Sequence, residues 1–210
     1  IDKVRAGLLN DTNAGILLET WVPLADKTLI DNIMEDLKPN NILSILSCGD
    51  YYNIFSEEQK QIIFDRFLHS LKIGEIAPLG YVTRNILEDK NLSVANKLKM
   101  LKLIDEDKVF IYLCTVEEFK DLPINAPESR KYYWEKFYSK LCTLNFYCIF
   151  YDLDILNPKI IIAPEFTDTV LREFLDTILG HISDFLSFSS AIIPRIKHLL
   201  TKEEKAQLIL

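Results

Sequence analysis

Asp152 and Asp154 stand two residues apart at the end of an apolar run, and Glu165 follows a second apolar stretch. Alternate residues on an extended strand share a face, so carboxylates at this spacing could jointly hold Mg²⁺ or Mn²⁺ through oxygen. With a third carboxylate they would resemble the metal sites of nuclease- or phosphatase-type enzymes. No Lys or His lies nearby in sequence to complete such a site, and the competing reading is a strand end whose acids face water. Asp105, Glu106 and Asp107 form a second acidic cluster, which reads as a solvated turn.

His181 and Asp184 are three apart, so a helix would place them on one face, where the carboxylate could orient the imidazole. No nucleophile stands out among Ser183, Ser187, Ser189 and Ser190, so a polar helix face is the simpler account. Phosphate-binding, dinucleotide, nucleophile-elbow and zinc-protease motifs are all missing. The expectation is therefore no catalytic residue, no metal and no cofactor. An α+β metal-dependent phosphodiesterase or nuclease using Asp152, Asp154 and Glu165 is the alternative.

The segment from Arg130 to Lys140 (RKYYWEKFYSK) interleaves basic and aromatic residues, a pattern that can mean base stacking along a phosphate track. Helical geometry points elsewhere. At 100° per residue, Tyr133, Trp134, Phe137, Tyr138 and Leu141 share an arc of about 140°, a core-facing stripe. Tyr132 is left among the charges, four residues before Lys136. Tyrosine is enriched at interface hot spots, so Tyr132 and Lys136 are the candidate binding residues. Lys97, Lys99 and Lys102 alternate with apolar residues and are expected to keep one helix face in water.

The elements that position these residues are read from recurring helix starts. Asp26, Ser56, Ser93 and Thr167 are each followed by apolar residues at the seventh, eighth and eleventh positions, with Ser129 and Thr201 fitting more loosely. Successive starts lie about 30 to 38 residues apart, close to the length of one helical hairpin in repeat proteins. Ser56 with Gln59 and Thr201 with Glu204 form capping boxes, each behind an apolar residue. The fold expected is mostly α, an irregular array or solenoid-like stack of helical hairpins.

Two stretches resist this reading. Residues 108–114 form a short apolar run before a helix start at Thr115, and 146–163 is rich in aromatic and β-branched residues around Asn157-Pro158. Two or three short strands are expected there, the second pair as a hairpin. The proline-bearing segments 73–80 and 121–128 are candidate boundaries, but neither is a long linker, so 1–210 reads as one helical domain.

Composition narrows the partners. Hydrophobic residues make up 49% of the 210 and charged residues 26%, ordinary for a folded protein. The net charge of −7 argues against nucleic acid and against an anionic membrane surface. No apolar run reaches the ~20 residues a membrane-spanning helix needs. Cys48, Cys114, Cys142 and Cys148 show no CxxC spacing, and the last three lie in apolar stretches as small hydrophobes of a reducing compartment. The chain opens at Ile1 without a leader or an initiator Met and reads as a piece of a longer protein. The function expected is a non-enzymatic interaction or scaffold domain of a larger protein, intracellular and cytoplasmic, whose partner is another protein.

Overall fold

A computed structural model describes residues 34, 37–47, 55–76, 80–90, 92–145, 148, 157–179 and 194–208. Helix accounts for 70% of them and no strand occurs among them. The chain divides into two compact units, Ile1–Ile104 and Asp105–Leu210. The division falls at the acidic turn, where one helix ends and another begins, and at neither proline-bearing segment.

In the first unit the described helices are α1 (Pro39–Ser47), α2 (Glu57–Lys72), α3 (Gly80–Glu88) and α4 (Val94–Leu101). α1 packs against α2 and α3. The start of α2 is fixed locally: the Gln59 amide donates to Ser56 Oγ at 3.3 Å, and the Ser56 amide donates to Gln59 Oε1 at 3.0 Å. This capping box satisfies two amides that the first turn would otherwise leave without partners. Glu57 and Glu58 then suit the positive end of the helix dipole.

Ile63, Phe64 and Phe67 are buried on one face of α2. Its far end closes on Gly74, whose φ of +75° is left-handed backbone that glycine adopts without strain. The Gly74 amide reaches Leu71 O at 3.2 Å and the Glu75 amide reaches Ser70 O at 3.0 Å, the paired bonds of a Schellman ending. Ser93 caps α4 through the Asn96 amide at 3.3 Å, and Asn96 Nδ2 donates across to Gln61 Oε1 of α2 at 2.7 Å. Lys97 departs from the expected solvated lysine face: it is fully buried in α4, while Lys99 and Lys102 are exposed.

The second unit contains α5 (Glu106–Thr115), 3₁₀ turns at Glu117–Phe119 and Pro123–Asn125, α6 (Pro127–Leu141), α7 (Pro158–Ile161), α8 (Asp168–Leu179) and α9 (Lys202–Leu208). The strand expected at 108–114 is a helix. Val109 to Leu113 are all buried, so α5 is apolar all round and carries no amphipathic period to mark it. Thr115 ends this helix instead of starting the next.

The second expected strand at Ile160–Ile162 is also corrected. Asn157 Oδ1 accepts from the Lys159 amide at 3.1 Å, and Pro158 occupies the first helical position, where it has no amide to lose. Asn157-Pro158 is thus a helix start and not a hairpin turn. Apart from Cys148, the rest of that expected hairpin, including Asp152 and Asp154, lies outside the described residues, as do Asp26, His181 and Asp184. Ser129 caps nothing: α6 begins at Pro127 behind Ala126.

The core of this unit gathers Phe110, Phe137, Leu141, Phe166, Leu171 and Leu175, among others, from α5, α6, the 162–167 turn and α8. Phe110 touches Trp134 and Phe137 with ring centroids 5.0 and 5.2 Å apart, and Phe166 meets Trp134 edge-on at 5.1 Å. The aromatic stripe of α6 therefore faces the core as expected: Phe137 and Leu141 are buried, while Tyr133, Trp134 and Tyr138 pack partly buried against it.

Behind α8, Ile196 and Leu200 are buried in the same core. Arg195 Nη2 donates to Phe166 O at 2.8 Å, and His198 Nε2 lies 3.1 Å from Asp168 Oδ1. Thr201 and Glu204 close the second capping box: the Thr201 amide donates to Glu204 Oε2 at 2.7 Å, and the Glu204 amide to Thr201 Oγ1 at 3.2 Å.

Candidate functional site

Among the described residues, side chains capable of chemistry or binding come together on the outer face of α6, around the arginine one turn into that helix, and in a groove between α1 and α2.

On α6, Tyr132 remains 43% exposed while its stripe neighbours turn inward. Its hydroxyl donates to Glu106 Oε2 at 2.8 Å, its ring meets Tyr133 edge-on at 5.2 Å, and Lys136 Nζ lies 5.3 Å from its ring centroid. Glu106 also pairs with Lys136 at 3.7 Å, and Asp107 with Lys140 at 3.8 Å. The acidic turn is thus more than a solvated bend. It aligns its carboxylates with the basic face of α6, and Glu106 holds Tyr132 in one orientation by accepting its hydrogen bond. That hydrogen bond raises the Tyr132 pKa, so the phenol stays neutral. Tyr132 and Lys136 therefore stand together, exposed and oriented, although each already has an intramolecular partner.

Arg130, one turn into α6, reaches Glu165 through both carboxylate oxygens, Nε to Oε1 and Nη2 to Oε2, the latter at 3.0 Å. Its Nη1 donates to Asn125 Oδ1 at 2.9 Å, its Nη2 to Cys114 Sγ at 3.3 Å, and its guanidinium carbon lies 5.0 Å from the centre of the Phe110 ring. The Arg130 and Glu165 side chains are each only 18% exposed. A forked pair of this kind fixes planar geometry and compensates two partly desolvated charges.

Glu165, one of the three acids considered for a metal site, is therefore spent on a cation of its own chain. No group of three or more His, Cys, Asp or Glu suited to a metal ion occurs among the described residues. Burial pushes the Cys114 thiol up to about 11 against the opposing pull of Arg130, which leaves it a poor nucleophile. Cys142, expected in an apolar setting, is exposed at the end of α6. Sequence reading missed this cluster because Arg130 and Glu165 are 35 residues apart and neither carries a local motif.

The groove in the first unit encloses about 470 Å³. Leu37, Pro39 and Ile42 line it from the α1 side, and Ile62, Asp65 and Glu75 from α2 and its C-terminal turn. Ile62 is 46% exposed, and it is the apolar residue of α2 that falls outside the core stripe. Arg66, also in the lining, donates to the Met34 carbonyl. A smaller cavity of about 230 Å³ in the second unit is lined by Tyr138, Cys142, Val170 and Glu173, among others. The Tyr138 hydroxyl donates to Glu173 there, and that bond raises its pKa.

No protein-family model matches the chain, and neither a curated protein nor a solved structure is similar to it.

Proposed function

We propose that this chain is a non-enzymatic protein-interaction domain of a larger protein, and that it binds its partner through the α6 face carrying Tyr132 and Lys136. The observation that carries this reading is a large aromatic left exposed yet held in one orientation by Glu106, Tyr133 and Lys136. A rigid aromatic beside a cation loses little freedom when a partner covers it, which is the profile of an interface anchor. The helices would serve as a stack of hairpins that presents this face, as repeat-like helical arrays do.

The acidic net charge supports a protein partner over nucleic acid or an anionic membrane. No helix among the described residues is long and apolar enough to cross a membrane. An intracellular setting suits the cysteines' isolated spacing. The metal-dependent phosphodiesterase reading draws no support from Glu165, whose oxygens both take Arg130.

The test is a capture experiment with the chain as bait, followed by titration of the captured protein with purified variants. Tyr132→Ala and Lys136→Glu are each expected to weaken its binding at least tenfold while leaving the circular dichroism spectrum unchanged. Unchanged affinity in both variants refutes the assignment of the face.

A further inference from the structure

The groove between α1 and α2 is assembled in a way that suggests its occupant. Its α1 side is apolar, from Leu37, Pro39 and Ile42, and Ile62 lines it from α2 while remaining exposed. Water-exposed isoleucine on a helix gains by being covered, at about 25 cal/mol per Å² of apolar area removed from water. The groove is more open than enclosed, so it would cover less of a small molecule's surface than ligand pockets do. A helix laid along it would be covered on one face only, which is how amphipathic helices dock.

The rim supplies the charge. Asp65 accepts from Gln61 Nε2 at 2.9 Å, and Glu75 Oε2 accepts from Ser70 Oγ at 3.2 Å. Both acceptances come from neutral donors, and neither carboxylate has an ion-pair partner among the described residues. The left-handed turn at Gly74 brings the Glu75 amide back to Ser70 O at 3.0 Å, which fixes Glu75 beside the last turn of α2. Arg66, the cation within the groove, spends a guanidinium donor on Met34 O. His69 completes the titratable groups lining it. The lining therefore holds two acids without ion-pair partners among the described residues against one arginine, an acidic excess beside apolar side chains.

We infer that this groove docks an amphipathic helix of a partner protein, apolar on the buried face and bearing Lys or Arg on its flanks. The inference rests on the interaction reading but on a different face of the molecule.

The probe is a fluorescein-labelled 18-residue peptide with Leu at helical i, i+3, i+4 and i+7 positions and Lys elsewhere, compared with the same peptide carrying Glu for Lys. The Leu–Lys peptide is expected to bind the full chain saturably with one-to-one stoichiometry, at least tenfold tighter than the Leu–Glu peptide. Ile62→Glu, at an exposed position, should reduce that affinity at least tenfold. The double variant Asp65→Lys/Glu75→Lys should reverse the preference between the peptides. The charge-matched variant Asp121→Lys/Glu203→Lys, at exposed sites in the other unit, should leave the preference in place.

Equal affinity for the two peptides overturns the inference. So does an Ile62→Glu variant that binds as the parent does, or a reversal produced equally by the charge-matched variant. Because the probe requires no natural partner, its failure removes the groove alone. The Tyr132 and Lys136 titrations decide the interaction reading separately.

Discussion

Arg130 joins α6 to three other parts of its unit, through Glu165, Asn125 and Cys114, with Phe110 beneath its guanidinium. Removing one partner of a buried pair leaves the other charge without compensation, so Arg130→Ala should cost about 2–3 kcal/mol, somewhat less than a wholly buried pair. Replacing both members with apolar residues of similar volume, Arg130→Met with Glu165→Leu, should recover much of that loss. Urea unfolding followed by Trp134 fluorescence, in a background where Trp21 is Phe, reads both values. A double variant that is as damaged as the two single losses added together would show that the pair does not act as a unit.

Cys114 offers a check at the same scale. With its thiol raised from 9.0 to about 11, its thiolate fraction near neutrality falls roughly a hundredfold. In the folded chain Cys114 should react with Ellman's reagent far more slowly than exposed Cys142, and in urea the two rates should converge. Equal rates in the folded chain would contradict the placement of Cys114 behind Arg130. None of this was visible in the residues' spacing. The charge pair is set by tertiary contact between segments 35 residues apart, and a lone Arg before an aromatic stripe gives no sign of its partner.

Among the elements, the helix starts differ in how they are held, and substitution should reveal it. Ser56→Ala removes the acceptor of a complete capping box and should cost about 1 kcal/mol. Ser129→Ala lies within the first turn of α6, caps nothing, and should cost less than half of that. Similar losses at the two positions would refute the observed start of α6.

The Arg172–Glu204 pair makes α9 pH-sensitive. Arg172 donates to both Glu204 oxygens, at 2.7 and 3.0 Å. This contact first, and the Thr201 amide second, hold the carboxyl down from 4.5 to about 2. A depressed carboxyl contributes its stability in full above its unfolded value and loses it as pH falls through the folded one. The hold on α9 should therefore be complete above pH 4.5 and decline toward pH 2. Hydrogen exchange at residues 202–208 should accelerate over that window, once corrected for intrinsic rate, and Arg172→Ala should flatten the change.

The caps were legible because a capping box lies within four residues, and the α6 stripe because its outer face is charged. α5 was misread because its burial on every side erases the 3.6-residue period, so a short apolar run looks the same as a strand. Pro158 was misread as a turn because Asn-Pro serves both purposes, and only the Lys159 amide shows that Asn157 is a cap. Lys97 shows the reverse failure, a charge whose burial no local pattern reveals.

For the molecule as a whole, a net charge of −7 over two helical units favours partners that bring positive charge. The Tyr132–Lys136 face is locally balanced by Glu106, whereas the α1–α2 groove sets two acids, Asp65 and Glu75, against the one arginine of its lining, Arg66. Binding to the groove should therefore weaken steeply between 50 and 500 mM salt, while binding at Tyr132 should change little, since the Debye length shortens through roughly 14 to 4 Å over that range.

The helical class was legible at this scale, from the recurrent helix starts and the apolar residues spaced behind them. The division into units was not. It falls where α4 gives way to α5 with no proline or glycine to mark it.

The measurement that tests the interaction account most directly is isothermal titration of the captured partner into the chain and into Tyr132→Ala. The account predicts saturable one-to-one binding by the parent, and at least a tenfold loss in a variant whose melting temperature stays within a few degrees of it. Binding that survives Tyr132→Ala unchanged would contradict the account.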